Sequence, residues 1–133
     1  MPAADTLERW HAFTATGDVA VLDELLADDV EFRPPTYWTP RRGKREVALI
    51  LGAVAGVFEG FRYEREWVDG DDWALEFTAR VGGLELKGVD LIRLDGEGRI
   101  VDFEVVARPP SAVAALRDAM AERLAALLPP SGS

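Results

Sequence analysis

The chain has 133 residues, of which 48% are hydrophobic and 29% are charged, and its formal net charge at pH 7 is -9. The acidic balance argues against nucleic acid and anionic membrane surfaces as partners, because both need a basic patch. The absence of cysteine excludes disulfides and cysteine-bound zinc, and a single histidine, His11, excludes a multi-histidine metal site.

The first half of the chain predicts helices joined by one short strand. Residues 5–16 carry apolar side chains at helical spacing, and Asp18 suits the N-cap of a short second helix. The segment DDVEFRPP predicts a strand that its prolines end, followed by the loop TYWTPRRG with Tyr37 and Trp38. Residues 44–59 predict a longer helix with Val57 and Phe58 on its apolar stripe. We interpret the basic cluster at residues 41–45 as a solvated loop rather than a phosphate site.

The second half changes to the two-residue period of β-strands. Strands are predicted at residues 61–69, 73–81, 84–95 and 99–108, separated by the turn sequences VDGDD, GG and DGEG. Such short connections make consecutive strands antiparallel neighbours. A last helix follows Pro109 and Pro110, and the final PPSGS is expected to fray. Helices segregated from an antiparallel sheet predict an α+β fold, which we interpret as a single domain of residues 1–133 with its core at about 5–128.

The segment GLELKGVDLIRLD places a carboxylate on an apolar strand face. Leu86, Asp90 and Ile92 share that face, because side chains alternate along a strand. A buried carboxylate needs a partner or a proton, since burying an unpaired charge is costly. Three interpretations stay open. Asp90 works in a pocket as an acid, a base or a hydrogen-bond donor; or it is a structural group paired with a Trp, an Arg or backbone amides; or a bulge at Gly88 turns it outward.

His11 shares a helical stripe with Leu7, Trp10 and Thr14. A lone histidine on such a stripe is either a satisfied core group or, if it faces a pocket, the natural partner of Asp90.

Aromatic side chains are more numerous on the predicted inner faces than a core of this size needs. Core packing explains any single one, but together they indicate a pocket for an apolar or aromatic ligand. Tyr37 and Trp38 lie in a proline-bounded loop, where we expect a rim or lid. The predicted substrate-binding residues are Trp10, Thr14, Tyr37, Trp38, Val57, Phe58, Tyr63, Trp67, Phe77 and Phe103.

The chain resembles the SnoaL-like group of the NTF2-like (nuclear transport factor 2-like) superfamily. The matching segments are ATGDVAVLDELLADDVEFRPP, TPRRGKREV, EFTARVGGLELKGVDLIRLD and GEGRIVDFEVVARP, within about residues 7–125. The resemblance implies a cone, in which a curved antiparallel sheet wraps around helices and leaves an internal pocket open at one end. Members of the group include steroid isomerases, polyketide cyclases, dehydratases, epoxide hydrolases and proteins without known catalysis, so the fold does not settle the function.

The resemblance also suggests roles for particular positions. Asp90 resembles the acidic position that helps to form the oxyanion hole of the steroid isomerases, where a protonated carboxylic acid donates a hydrogen bond to the developing enolate. The tyrosine and the general-base aspartate of those enzymes fall on Trp10 and Pro34, so the resemblance does not carry their activity over. It further implies a homodimer through the outer face of the sheet, where Val89, Leu91 and Val106 supply an apolar patch.

These observations predict a protein that binds a small apolar or aromatic molecule and acts on it by cofactor-free acid–base chemistry of the isomerase, cyclase, dehydratase or hydrolase type. Asp90 is the predicted proton donor or acceptor, and His11 is the predicted second catalytic group. The alternatives are a non-catalytic ligand carrier and a dimeric scaffold with a filled cone. We predict no cofactor, no metal, no nucleic acid and no membrane partner. A cytoplasmic location is the expectation, because no signal-like or transmembrane-length segment occurs.

Overall fold

The computed structural model describes residues 1–127. Helix α1 spans Ala3–Thr16, a 3-10 turn spans Val19–Val21, and α2 spans Leu22–Leu25. Strand β1 (Leu26–Arg33) and strand β2 (Arg41–Arg42) precede α3 (Lys44–Val57). The remaining elements are β3 (Glu59–Asp69), β4 (Asp72–Val81), β5 (Leu84–Leu94), β6 (Ile100–Arg108) and α4 (Pro110–Leu127). This order confirms the predicted α+β class, while the tail expected to fray lies outside the described residues.

The sheet has the strand order β2-β1-β6-β5-β4-β3. Strands β3 to β6 are antiparallel neighbours, as their short turns predict. Strand β1, however, runs parallel to β6, with Phe32 opposite Phe103, so the prediction of a purely antiparallel sheet is wrong at this pair. Turn sequences predict the direction of consecutive strands only, and β1 and β6 are far apart in the chain. Strand β2, within the segment predicted to be a loop, pairs antiparallel with β1.

Local sequence explains how the first helix ends. Gly17 has φ 71°, and its N–H donates to the carbonyl of Phe13, which is the left-handed C-cap that glycine favours. The carboxylate of Asp18 then accepts a hydrogen bond from the N–H of Ala20 at 3.1 Å. The predicted N-cap is therefore confirmed, and it caps the 3-10 turn that leads into α2.

Apolar side chains form two clusters on the inner face of the sheet. The first packs α1, α2 and α3 against the sheet and contains Trp10, Phe32 and Phe103. The second lies under α4 and contains Phe77 and Leu116. Within residues 1–127, no helix is long and apolar enough to cross a membrane.

Two β-bulges in β3 decide which of its side chains face the helices. The pairing of β3 with β4 shifts between Glu59 and Arg62 and again between Tyr63 and Glu66. The extra residue of the second bulge keeps Tyr63 and Glu66 on the inner face and moves Trp67 to the outer face, where its side chain is 51% exposed. The prediction that Trp67 faces the pocket is therefore wrong.

The outer face of the sheet is mixed in character, as predicted. Glu76 is buried there because Arg65 binds both of its carboxylate oxygens, at 3.0 and 2.6 Å, and Lys87 lies 3.6 Å away. Beside this charged group, Leu91 and Val106 remain 41% and 55% exposed. This face thus offers an apolar patch next to a neutralised buried carboxylate.

Candidate functional site

A cavity of about 300 Å³ lies between the inner face of the sheet and helices α1, α3 and α4. A cavity of this size suits a small organic molecule, so the alternative of a filled cone is wrong. Its wall is mostly apolar and aromatic. Of the predicted substrate-binding residues, those in the wall are Trp10, Thr14, Tyr37, Phe58, Tyr63, Phe77 and Phe103.

Gly88 makes room for this wall. It lies opposite Phe77 in the continuous register between β4 and β5. A Cβ at Gly88 would lie 2.6 Å from Cζ of Phe77 and 2.8 Å from the carbonyl oxygen of Val106. The phenylalanine ring therefore packs directly over the glycine. Because the register has no bulge here, Asp90 points inward, and the interpretation that a bulge turns it outward is wrong.

Asp90 lies at the end of a chain of hydrogen bonds on the cavity wall. The indole Nε1 of Trp10 donates to the hydroxyl of Tyr63 at 2.7 Å, and that hydroxyl donates to Oδ2 of Asp90 at 2.7 Å. Only 5% of Asp90 is exposed. Among residues 1–127 no arginine or backbone amide contacts its carboxyl group, so a neutral phenol is the partner. The carboxyl group of Asp90 thus has one polar partner, the hydroxyl of Tyr63, and also borders the cavity.

Burial changes the acidity of this pair. Desolvation raises the pKa of Asp90 to about 7, and the hydrogen bond from Tyr63 opposes that rise in pKa. Burial, reinforced by the negative charge of Asp90, also raises the pKa of Tyr63 well above its usual value. Near neutral pH, Asp90 therefore exists in both protonation states. A carboxyl group in this condition can give or take a proton.

The structure does not bring His11 to Asp90. The Nε2 atom of His11 lies 2.8 Å from Oε1 of Glu66, and the imidazole ring packs edge-on against Tyr63 with centroids 5.2 Å apart. His11 is not part of the cavity wall, and Tyr63 occupies the position next to Asp90 that the sequence suggested for the histidine. The bulge in β3 accounts for this, because it turns Glu66 inward toward α1.

Two further predicted substrate-binding residues lie outside the wall. Trp38 is 96% exposed, whereas its neighbour Tyr37 borders the cavity. The backbone turns at residues 35–36 and bends at residues 38–39, and only one of the two aromatics reaches the mouth. Val57 is half-buried and packs with the apolar cluster under α4 rather than against the cavity. Of the two loop aromatics, Tyr37 alone lies at the cavity, and its role in binding stays a prediction.

Sequence reasoning missed the second carboxylate in the wall. Glu46, in the first turn of α3, lines the cavity, and its Oε1 lies 3.4 Å from Nη1 of Arg41, which also lines it. Arg41 lies in the basic cluster that the sequence predicts to be a solvated loop, and Glu46 directly follows it. No local sequence pattern therefore indicates that either residue lines a cavity. Within the part of the chain that is described, no group of three or more acidic or histidine side chains is arranged to hold a metal.

The fold and this cavity define an NTF2-like pocket protein. The model of the SnoaL-like domain family matches residues 7–103, and the chain belongs to that family. An NTF2-like protein of unknown function from Burkholderia xenovorans LB400 shares the fold at 18% identity, with a TM-score of 0.70 over 81% of this chain and 84% of that chain. A search of the curated proteins found no match.

Two solved structures are much more similar in sequence. A steroid delta-isomerase from Pseudomonas aeruginosa is 48% identical, with a TM-score of 0.91 over 94% of this chain and 93% of that chain. An uncharacterised protein with a cystatin-like fold from Silicibacter pomeroyi DSS-3 is 50% identical, with a TM-score of 0.87 over 90% of this chain and 85% of that chain.

Proposed function

We propose that the protein binds an apolar cyclic compound with a carbonyl group and catalyses cofactor-free proton transfer on it, with double-bond isomerisation as the reaction. The observation that carries this proposal is the buried carboxyl group of Asp90 in an otherwise apolar, aromatic cavity, bonded only to Tyr63 among the described residues. The similarity to a protein described as a steroid delta-isomerase supports the choice of isomerisation over cyclisation, dehydration and hydrolysis.

The proton acceptor in this proposal is Glu46. Trp10 and Pro34 occupy the positions that resemble the other two functional positions of the steroid isomerases, and neither side chain is a base. Glu46 is the only other carboxylate in the described cavity wall. Two carboxyl groups whose surroundings differ, one buried and one paired with an arginine at the mouth, suit the separate roles of hydrogen-bond donor and base.

The reaction then proceeds in two proton transfers. The carboxylate of Glu46 takes a proton from the carbon next to the carbonyl group, and the electron pair of that C–H bond moves toward the carbonyl oxygen. Protonated Asp90 donates a hydrogen bond to this oxygen and stabilises the developing negative charge. Glu46 returns the proton to a different carbon of the conjugated system. No external oxidant or cofactor is required.

Turnover of a β,γ-unsaturated cyclic ketone such as 3-cyclohexenone tests the proposal, because the conjugated product absorbs in the ultraviolet. We expect Asp90→Leu and Glu46→Gln each to lower turnover by about a hundredfold, the usual scale for a lost oxyanion donor or general base. Glu8→Gln is the control, since Glu8 is exposed and lies outside the cavity wall. Equal turnover in all four proteins would contradict the assignment of both residues.

A non-catalytic carrier is the second candidate. The ion pair between Glu46 and Arg41 favours it, because this half-exposed carboxylate already binds a guanidinium group instead of being free to contact a ligand. In that case ketones bind to the wild-type protein without being converted, and Asp90 acts as a polar anchor only.

We also propose a homodimer through the outer face of the sheet. The support is the exposed apolar patch of Leu91 and Val106 beside the neutralised Glu76. Light scattering at micromolar concentration should give twice the chain mass, and Val106→Asp should halve it. A wild-type protein that stays monomeric at high concentration would contradict this proposal.

A further inference from the structure

The direction of the hydrogen bonds around Asp90 follows from the chemistry of its partners. An indole N–H is a donor only, so the bond between Nε1 of Trp10 and the hydroxyl of Tyr63 makes the phenol oxygen an acceptor. The phenol has one hydrogen of its own, and its only other polar neighbour at hydrogen-bond distance within residues 1–127 is Oδ2 of Asp90. If Tyr63 accepted from both sides, its own hydrogen would have no partner among the described residues, which is unfavourable in a mostly apolar wall. Tyr63 therefore donates to Oδ2.

The second oxygen of Asp90 has a different environment. Oδ1 forms no hydrogen bond to any described residue. In the same part of the chain, Nε1 of Trp73 is the one fully buried side-chain polar atom that lacks a partner. Oδ1 consequently keeps some contact with open space, and the space next to Asp90 is the cavity. With Oδ2 occupied as an acceptor, the proton of neutral Asp90 belongs on Oδ1.

We propose that Trp10 and Tyr63 form a one-directional hydrogen-bond chain that confines the proton of neutral Asp90 to Oδ1, so that the site selects ligands that accept a hydrogen bond. Trp10 and Tyr63 are positioning residues, because the indole N–H donates to Tyr63 and the phenol O–H donates to Asp90. Neither hydrogen is left to bind the ligand. This inference rests on the proposed binding function and adds to it the positioning role of Trp10 and Tyr63, which extends the proposed carbonyl ligand to any neutral acceptor oxygen (ketone, ester or ether) on an apolar frame.

Apart from the Trp10–Tyr63 hydrogen-bond chain, the groups around Asp90 are apolar or are paired with other residues. Its cross-strand neighbours Leu75 and Val105 are apolar. On the β3 side, Tyr63 is the only titratable contact, and His11 and Glu66 lie beyond it and bind each other. From α3, Glu46 shares the cavity wall but is paired with Arg41. Desolvation raises the pKa of Asp90, and the hydrogen bond from Tyr63 partly opposes that rise.

Carbon-13 NMR of aspartate-labelled protein tests the chain without any ligand. The carboxyl signal of Asp90 is assigned by its loss in Asp90→Asn and is followed with pH. Tyr63→Phe removes the donor to Oδ2, so we expect the pKa of Asp90 to rise above its wild-type value. Trp10→Phe leaves the phenol in place but weakens it as a donor, so we expect a smaller rise in the same pKa.

Trp73→Phe is the matched control for Trp10→Phe, because it removes a buried indole N–H that has no partner. We expect it to leave the pKa of Asp90 unchanged. If the pKa of Asp90 shifts equally in the Trp73→Phe and Trp10→Phe variants, the shift is a general packing effect. If that pKa is unchanged or lowered in Tyr63→Phe, the proposed hydrogen-bond chain is refuted.

Binding of two probes of the same shape tests the ligand class. 1-Tetralone accepts a hydrogen bond and tetralin does not. At a pH of about 5.5, the wild-type protein should bind 1-tetralone about five- to tenfold more tightly than tetralin, as one added hydrogen bond allows, and this preference should vanish at a pH of about 8.5. In Asp90→Asn the amide still donates, so the preference should persist at both pH values.

The outcomes separate this inference from the function on which it rests. If neither probe binds at either pH, the cavity is not a binding site for apolar rings, and the proposed function and the ligand class both fail. The NMR result still decides whether the Trp10–Tyr63–Asp90 hydrogen-bond chain exists. If both probes bind equally well at low pH, the pocket function stands and the selection of acceptor ligands is overturned.

Discussion

Replacing Asp90 by asparagine should change the stability of the protein by an amount that depends on pH and shifts in favour of the variant as pH rises. The folded-state pKa of Asp90 is raised from 3.8 to about 7, so the folded protein holds this proton more tightly than the unfolded chain. The stabilisation from the protonated group is complete below the unfolded pKa and is lost as pH rises through the folded pKa. A shift of about three pKa units corresponds to about 4 kcal/mol in the free energy of unfolding.

Asparagine keeps the shape and the acceptor for Tyr63 but has no proton to lose. The difference in the free energy of unfolding, Asp90→Asn minus wild type, should therefore grow by up to about 4 kcal/mol in favour of the variant between a pH of about 4 and a pH of about 8. At neutral pH the variant should be as stable as the wild type or more stable.

Denaturant unfolding followed by tryptophan fluorescence measures this difference, with the protein concentration held constant in case the protein is dimeric. Glu8→Gln is the control variant, because it removes a carboxylate from the exposed surface outside the cavity. If the Asp90→Asn difference stays flat, folding does not raise the pKa of Asp90, and if the variant loses stability relative to the wild type as pH rises, Asp90 is a stabilising ionised group. Either result refutes the desolvation argument.

Three other substitutions test neighbouring parts of the structure. Gly88→Ala should lower the free energy of unfolding by about 1–3 kcal/mol and weaken binding of 1-tetralone, because the added methyl group collides with Phe77; unchanged denaturation and binding would show that this contact is not tight. Glu76→Gln should destabilise the protein at neutral pH, because the pairing with Arg65 lowers the pKa of Glu76, and the effect should disappear as unfolding is measured at pH values below that lowered pKa; a loss that persists in acid would point to packing instead. Tyr37→Ala should weaken 1-tetralone binding severalfold in titration calorimetry with little change in stability, as befits a residue at the cavity mouth; affinity equal to that of the wild type would remove it from the binding site.

The features that sequence alone predicted correctly are those that depend on neighbouring residues. The alternation along β5 predicted that Asp90 shares the inner face with Leu86 and Ile92, and all three are buried. Helical spacing and the N-cap at Asp18 predicted the helices, and the turn sequences predicted the antiparallel order of β3 to β6. Periodicity and turn chemistry act over a few residues, so they can be read directly from the chain.

The features that only the tertiary structure decided are long-range. Trp10 and Tyr63 are 53 residues apart in the chain, and Tyr63 and Asp90 are 27 apart, so no local pattern predicts that they form one hydrogen-bond chain. The bulge in β3, which turns Trp67 outward, depends on the register with β4. Glu46 reaches the cavity only because α3 packs over the sheet. The sequence alone therefore determined which face carries the carboxyl group, while long-range packing determined its partner, its acidity and the direction in which its proton points.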